Sequence, residues 1–237
     1  MRIKVNKNQY ISCTLLKPRK LKEKNPALIF LHGWSSNQQG NILRAKELTE
    51  LGFICLTLDL RGDGNSEGSL EEFSREDHLQ DIKAAYKYLS ELKDVDSDRI
   101  GLIGSSYTGY LSSVTTNSLK LKWLVLRVPA LYFDEKMDVS TFKLIQEDKK
   151  AFTSSDLTDQ NSLALKGIRN FPGEILLVES EKDEIIPHST IENYLKYLKG
   201  KNNFEYVIIK NAKHSLDSEK QQKEYIEILR KWFSENL

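Results

Sequence analysis

Short apolar runs alternate along the chain with longer segments of mixed polarity. The run Ala27–Leu31 has no polar alternation, which is typical of a strand buried on both faces of a parallel sheet. Two β-like stretches at the N-terminus, Ile3–Val5 and Tyr10–Leu16, flank a polar turn and predict a hairpin. The further predicted strands are Phe53–Leu58, Ile100–Ile103, Trp123–Leu126, Ile175–Val178 and Phe204–Ile209.

Helical spacing of apolar residues appears between these strands. Helices are predicted at Ile42–Leu51, Glu71–Leu92 and Thr190–Leu198, and Tyr225–Phe233 lies in a C-terminal helix. Alternating strands and helices predict an α/β fold: a mostly parallel, doubly wound sheet with helices on both faces. Residues 131–172 show no strong period and are expected to form a small cap insertion, so residues 1–237 are interpreted as one domain.

Composition narrows the choice of partners. A net charge of +1 gives no field for nucleic acid or an anionic membrane, so neither is expected as a partner. Cys13 and Cys55 cannot build a disulfide framework and have no metal-ligand spacing. The chain shows neither a signal-peptide pattern nor a run of ~18 apolar residues, so a reduced, soluble, cytoplasmic protein is expected. The oligomeric state stays open.

The stretch Gly104-Ser-Ser-Tyr-Thr108 follows a predicted strand and precedes a segment that can be helical. This is the layout of a nucleophile elbow, G-x-S-x-G, in which Ser106 would stand clear of the sheet. Ser105 is the competing serine, but it lies one residue too early. Thr108 replaces the last glycine of the motif, with Gly109 one place later. A β-branched residue there demands more room, so a wider elbow or impaired activity is one expectation.

Other reactive side chains also follow predicted strands, where sites form in open α/β sheets. Asp183 and His214 come after the last two strands, so nucleophile, acid and base appear in the order Ser, Asp, His. His214 would take the Ser106 proton, and Asp183 would orient the imidazole. The backbone N–H groups of Trp34 and Tyr107 would stabilise the oxyanion. Rival acids are Asp134, Asp138, Glu181 and Glu184.

These motifs together resemble the α/β-hydrolase superfamily from about residue 27 to the C-terminus. The residues that carry the resemblance are Leu31-His-Gly33, Asp59-Leu-Arg-Gly-Asp-Gly-Asn-Ser66, Gly104–Gly109, Lys182-Asp-Glu-Ile-Ile-Pro187 and Ala212-Lys-His-Ser215. The chain is similar to small-cap esterases and to the dienelactone-hydrolase-like or serine-aminopeptidase-like branches. The resemblance implies a serine hydrolase that cleaves a small carboxylic ester, a small-molecule acyl substrate, through an acyl-enzyme, without metal or organic cofactor.

Several residues keep alternative interpretations. His32 and Gly33 are expected to shape the oxyanion loop and the substrate pocket, and His188 either lines the pocket near Asp183 or simply begins a helix. Asp59 and Arg61 are expected to hold their own loop. The aromatic residues near the elbow line the pocket or belong to the core: Trp34, Tyr107, Tyr110, Tyr132 and Phe133, together with Leu131.

The same scaffold also allows a peptidase, a thioesterase, an acyltransferase or a catalytically inactive binding protein, because a fold and a nucleophile do not fix the leaving group. A Rossmann-type nucleotide binder lacks its glycine fingerprint in this sequence.

Overall fold

A computed structural model describes residues 1–147 and 157–237 of the chain. Its centre is an eight-stranded sheet with the strand order β1-β2-β4-β3-β5-β6-β7-β8. The strands are β1 (Arg2–Lys4), β2 (Tyr10–Leu16), β3 (Asn25–Leu31), β4 (Ile54–Leu58), β5 (Val95–Ser105), β6 (Trp123–Arg127), β7 (Glu174–Ser180) and β8 (Phe204–Ile209).

The sheet is antiparallel at one edge and parallel elsewhere. β1 pairs with β2, and β2 with β4, in antiparallel fashion, which confirms the predicted N-terminal hairpin. All other neighbours are parallel, as in the register Leu28 to Gly101 between β3 and β5. Every residue of β3 is buried, as expected for a strand covered on both faces. The carboxyl ends of β3 to β8 therefore meet at one edge of the sheet.

Helices cover both faces of this sheet. They are α1 (Gln39–Thr49), α2 (Arg75–Ser90), α3 (Tyr107–Thr115), α4 (Thr141–Glu147), α5 (Leu163–Asn170), α6 (His188–Leu198) and α7 (Glu219–Asn236). One apolar core joins the sheet to α2, α3, α5 and α6. A second core joins the opposite face to α1 and α7 through aromatic residues such as Phe53, Trp123 and Phe233. The predicted mostly parallel, doubly wound sheet is confirmed.

Several element boundaries differ from the prediction, and the contacts of two elements give the reason. Helix α2 begins at Arg75 rather than Glu71, because Ser74 and Asp77 form a reciprocal capping box. Strand β5 begins at Val95, ahead of the predicted Ile100, because Asn25 of β3 pairs with Val95 across a register shift.

Part of the predicted cap is visible. Residues 131–172 contain α4 and α5, and positions 148–156 of the cap lie outside the described residues. Helix α5 packs its buried residues Ala164, Leu165 and Ile168 onto the core, and the Ser162 hydroxyl caps its first turn.

Neither cysteine takes part in a disulfide. Cys13 and Cys55 are free and buried in the two cores. Burial raises the pKa of the Cys13 thiol to about 12, so this sulfur stays protonated and unreactive. Among the helices of the described ranges, none combines the length and apolar character needed to cross a bilayer.

Candidate active site

Ser106 lies at the sharp turn between β5 and α3. Its backbone has φ 54° and ψ −116°, a conformation that costs a non-glycine residue about 1–3 kcal/mol. Backbone hydrogen bonds hold the turn: the Ser106 N–H donates to Arg127 O, and the Ala130 N–H donates to Ser106 O. The residue lines a cavity of about 590 Å³ above the strand ends. The strained turn therefore presents Ser106 to a cavity, as the elbow motif predicts.

The Thr108 side chain is accommodated in the elbow because its hydroxyl forms hydrogen bonds there. Its side chain is fully buried, and Oγ1 accepts a hydrogen bond from the Ser105 N–H at 3.0 Å. The same Oγ1 lies 3.2 Å from Leu31 O and 3.1 Å from Ser105 O, so its proton has acceptors on β3 and on the elbow. The hydroxyl thus joins the elbow to the neighbouring strand.

Two glycines supply the close approaches that the elbow needs. A Cβ at Gly104 would lie 2.5 Å from Thr108 O, and one at Gly109 would lie 2.9 Å from Pro129 Cβ. Distances this short exclude any larger residue without movement of the backbone. Tight packing is therefore supplied by Gly104 and Gly109, and position 108 is free to carry a side chain.

His214 and Asp183 form a partly buried pair after β8 and β7. His214 Nδ1 lies 2.8 Å from Asp183 Oδ2 and 3.0 Å from Oδ1. The carboxylate is held in turn by the backbone N–H groups of Ile185 and Ile186, at 2.8 and 2.7 Å. Because a carboxylate accepts, Nδ1 carries the proton, which leaves Nε2 as the basic nitrogen.

The loops that carry this pair are tied together. The Lys182 N–H donates to Ala212 O at 2.8 Å, so the loop after β7 moves with the loop after β8. Arg127 Nη2 donates to His214 O at 2.6 Å, and its Nε donates to the hydroxyl of Ser105 at 3.1 Å. Arg127 thus connects the histidine loop to the elbow. Ser106 and His214 lie on the wall of the same cavity without a direct hydrogen bond between them in the described part of the chain, as is common before substrate binds.

The two expected oxyanion donors lie beside the elbow. The Tyr107 N–H begins α3 and so has no acceptor within the helix. A Cβ at Gly33 would lie 3.7 Å from Ser106 Cβ, which places the loop carrying Trp34 against Ser106. The rings of Trp34 and Tyr107 pack edge to face with centroids 5.1 Å apart. This contact fixes the two loops relative to each other.

His32 and Gly33 line the cavity, as expected, and both ring nitrogens of His32 bond to backbone atoms of the protein. Its Nε2 accepts a hydrogen bond from the Leu60 N–H at 3.1 Å, and its Nδ1 lies 2.7 Å from Gly33 O. Accepting at Nε2 requires the proton on Nδ1, which then donates to Gly33 O. Burial lowers the pKa of His32, so the ring stays neutral. The histidine therefore holds the loop on which Gly33 and Trp34 sit.

A second buried histidine supports Tyr107. His78 Nδ1 lies 2.7 Å from the Tyr107 hydroxyl, and its Nε2 lies 3.0 Å from Arg61 O. Burial, followed by the nearby Arg61 cation, lowers the pKa of His78 to about 4. The Tyr107 hydroxyl also lies 3.2 Å from Thr141 Oγ1 of α4. His78 lies on α2 and Tyr107 begins α3, so spacing along the chain gives no signal of this contact.

The structure separates the remaining candidates. Asp134 Oδ2 accepts the Leu163 N–H, Glu181 pairs with Lys210, and Glu184 lies 3.4 Å from the His214 backbone nitrogen. None of the rival acids, Asp138 included, bonds the His214 ring among the described residues. His188 is not among the cavity-lining residues within the described ranges. It lies at the start of α6, with Nδ1 2.7 Å from Glu179 Oε1.

Asp59 and Arg61 behave differently from each other. Asp59 accepts from the Asn65 N–H at 3.0 Å and so holds its own loop, as expected. Arg61 instead pairs with Asp81 of α2, with Nε 2.6 Å from Oδ1. The sequence left open whether the other residues near the elbow line the pocket or belong to the core. Tyr132 lines the cavity, Tyr110 and Leu131 are core residues, and Phe133 is exposed.

One side of the cavity was not anticipated. It lies between α1 and α7 and is lined by Asn41, Arg44, Arg127, Gln222 and Tyr225. Burial lowers the pKa of Arg127 to about 10, so the group is still a cation at neutral pH. Asn41 and Arg44 interrupt the apolar face of α1, next to the buried Ala45 and Leu48. This polar interruption is the feature of the sequence that could have indicated a cavity wall here.

Among known structures, one with ferulic acid bound to Est1E from Butyrivibrio proteoclasticus superimposes on this chain with a TM-score of 0.77, at 19% identity, covering 100% of this chain and 98% of that one. Mitochondrial palmitoyl-protein thioesterase ABHD10 of Bos taurus is 34% identical over 95 residues, 39% of this chain and 29% of that protein. An uncharacterized 31.7 kDa protein in the traX-finO intergenic region of Escherichia coli is 27% identical over 136 residues, 56% of this chain and 46% of that protein. The matched segments span less than half the length of ABHD10 and of the Escherichia coli protein.

The fold is of the α/β-hydrolase type. The model of the prolyl oligopeptidase family matches residues 41–237, and the chain belongs to this family.

Proposed function

We propose that the protein hydrolyses small carboxylic esters through an acyl-enzyme formed on Ser106. The observation that carries this proposal is the shared cavity wall: Ser106 on a strained turn, His214 with Asp183 behind it, and the loop of Trp34 against the elbow.

The reaction would proceed in two halves. His214 Nε2 takes the Ser106 proton as Oγ attacks the ester carbonyl, and the imidazolium is stabilised by Asp183. The carbonyl oxygen becomes an oxyanion that accepts hydrogen bonds from the N–H groups of Trp34 and Tyr107. Losing one such donor costs about 3–4 kcal/mol of transition-state stabilisation. His214 then protonates the leaving alcohol, and water attacks the acyl-enzyme by the same steps in reverse order.

The cavity supports a small substrate without a positive charge. Its volume of about 590 Å³ suits a small or medium acyl group. None of the cavity-lining residues among the described positions is Asp or Glu. An aminopeptidase needs a carboxylate to pair with the free ammonium of its substrate, so the lining favours an ester over a peptide with a free N-terminus.

The test is hydrolysis of 4-nitrophenyl acetate and butyrate by the wild type and by Ser106→Ala. We expect the substitution to lower kcat by about 10⁵- to 10⁶-fold, towards the uncatalysed rate. Ser105→Ala is the matched control, since Ser105 is the adjacent serine and should be dispensable for the chemistry. Equal rates in the wild type and Ser106→Ala would refute the proposal.

A thioesterase is the second candidate, because the relative ABHD10 carries that name and the attack on a thioester uses the same groups. Butyryl-thiocholine and Gly-Pro-4-nitroanilide, assayed beside the esters, separate ester, thioester and peptide hydrolysis. A larger kcat/KM for either than for 4-nitrophenyl butyrate would reassign the leaving group while keeping Ser106 as nucleophile.

A further inference from the structure

The side of the cavity between α1 and α7 has the properties of a binding site for an acid group. We call it the arginine lobe and define it by Asn41, Arg44, Arg127, Gln222 and Tyr225. It opens into the same cavity as Ser106 and His214. A group bound there would therefore belong to the molecule whose acyl bond lies at Ser106.

Neither of the two cations in this lobe, Arg44 and Arg127, forms an ion pair within the described residues. Arg44 Nη1 donates to Asn41 Oδ1 at 3.1 Å, and Arg127 donates to the neutral oxygens of Ser105, Ser180 and His214. No carboxylate oxygen lies within 4.0 Å of either guanidinium in the described part of the chain. Both groups lie against the ring of Tyr225, with Cζ 5.5 and 5.9 Å from its centroid. Placing two cations on one ring without an anion is electrostatically unfavourable.

The lobe also contains donors without acceptors. Arg44 Nε and Asn41 Nδ2 are buried and have no hydrogen-bond partner among the described residues. Asn41 as a whole is 8% exposed, so water has little access to its amide. An unpaired buried donor costs about 1–3 kcal/mol. A Cβ at Gly40 would lie 3.2 Å from Arg44 Nη1, so the glycine leaves room for the guanidinium against α1. The chain thus holds Arg44 in an unsatisfied position.

Arg61 shows how this protein treats an arginine that serves the fold. Its side chain is 1% exposed, and its Nε lies 2.6 Å from Asp81 Oδ1. Its Nη1 donates to Gln9 Oε1 at 2.6 Å, and Nη2 donates to Asp77 O at 2.5 Å. Arg61 therefore has an anionic partner inside the protein, whereas Arg44 and Arg127 have none.

We propose that the arginine lobe binds a carboxylate of the substrate, so that the preferred substrates are esters carrying an acid group in addition to the bond that is cleaved. This inference rests on the proposed function. The carboxylate supplies the missing negative charge and accepts hydrogen bonds from the guanidinium of Arg44, whose planar fork matches two carboxylate oxygens.

The experiment compares matched substrates that differ only in charge. One pair is 4-nitrophenyl hydrogen adipate and 4-nitrophenyl methyl adipate, with the acid on the acyl side. The other is 3-acetoxybenzoate and methyl 3-acetoxybenzoate, with the acid on the leaving group. In at least one pair we expect the anion to have a kcat/KM roughly tenfold or more above its neutral partner, the scale of one charged hydrogen bond.

Variants assign the preference to the lobe. Arg44→Met should abolish the preference for the anion, and Arg44→Lys should keep part of it. Arg230→Met is the control, because Arg230 lies on α7 but pairs with Glu47 outside the cavity. Thermal melting of each variant checks folding. A wild type that prefers the neutral ester in both pairs, or an Arg44→Met variant that keeps the preference, would overturn the inference while the esterase proposal stands.

If the wild type cleaves none of these esters, the proposed function fails first. Calorimetric titration of adipate into Ser106→Ala then tests the lobe by itself. Binding that is lost in Ser106→Ala/Arg44→Met would support the carboxylate site, and absence of binding to Ser106→Ala would overturn it.

Discussion

Two histidine–carboxylate pairs lie near the carboxyl end of β7, and their nitrogen–oxygen distances are nearly the same. His214 Nδ1 is 2.8 Å from Asp183 Oδ2, and His188 Nδ1 is 2.7 Å from Glu179 Oε1. Their surroundings differ. The His214 side chain is 13% exposed and lies on the cavity wall, whereas the His188 side chain is 59% exposed and faces Glu192, with Nε2 3.7 Å from Oε1.

The second ring nitrogen explains why these pairs should act differently. Nε2 of His188 faces another carboxylate, so this ring is the centre of a surface ion pair. Nε2 of His214 makes no hydrogen bond within the described residues and shares a cavity with Ser106. A carboxylate beside a histidine therefore does not by itself make a base, since a base needs a free nitrogen and a nucleophile within reach.

The strongest test of this comparison removes the charge from each carboxylate in turn. Asp183→Asn should lower kcat for 4-nitrophenyl butyrate by about 10³- to 10⁴-fold, because the imidazole loses its tautomer and its counter-charge. Glu179→Gln should leave kcat nearly unchanged, although Glu179 also accepts a hydrogen bond from the Tyr206 hydroxyl. Initial rates and melting curves of both variants provide the measurement. Equal losses of kcat would break the distinction between the two pairs.

A smaller effect is expected from the elbow, which belongs to the His214 site alone. Thr108→Val removes the acceptor of the buried Ser105 N–H and should lower the free energy of unfolding by about 1–3 kcal/mol. Thr108→Ser keeps the hydroxyl and should lose less. Chemical denaturation gives the free energies. A Val variant as stable as the Ser variant would show that the hydroxyl does not hold the elbow.

The smallest effect concerns the His188 pair and depends on pH. The hydrogen bond to Glu179 raises the pKa of His188 above its usual value. The folded protein therefore binds this proton more tightly than the unfolded chain does, so the pair adds stability below the unfolded pKa of about 6.5 and loses it as pH rises through the folded pKa. Because the ring is largely exposed, the contribution should stay below about 1 kcal/mol.

His188→Gln measures that contribution. The wild type should exceed the variant in free energy of unfolding at pH 5.5, and the excess should disappear at pH 8.5. Esterase activity should keep the same pH profile in both proteins. An excess that grows with pH would contradict the assignment of the shift to the Glu179 hydrogen bond.

The sheet could be predicted from the sequence because a buried parallel strand appears as a short, continuous apolar run. Ala27–Leu31 is apolar throughout, and the elbow and Asp183 each follow a buried strand, whereas His214 follows the partly exposed β8. Features that depend on distant partners left less trace. The start of β5 at Val95 depends on pairing with Asn25 of β3. Helix α1 begins at Gln39, and the prediction began it at Ile42 because the first turn of this helix is polar.

The site residues also differ in how far they could be predicted: some follow from local pattern, and others depend on contacts between distant residues. The positions of Ser106 and His214 could be predicted from order along the chain, whereas the separation of His188 from the cavity depends on how α6 leaves the sheet. The roles of Arg44 and Arg127 depend on the absence of nearby carboxylates. That is a property of the packed described residues, which spacing along the chain does not reveal.

The most direct test of the account is covalent labelling of the nucleophile. The wild type, Ser106→Ala and His214→Ala are treated with a fluorophosphonate probe, and the adducts are located by intact-mass and peptide mass spectrometry. We expect one adduct on Ser106 in the wild type, none in Ser106→Ala and slow labelling in His214→Ala. No adduct in the wild type, or an adduct on Ser105 instead, would contradict it.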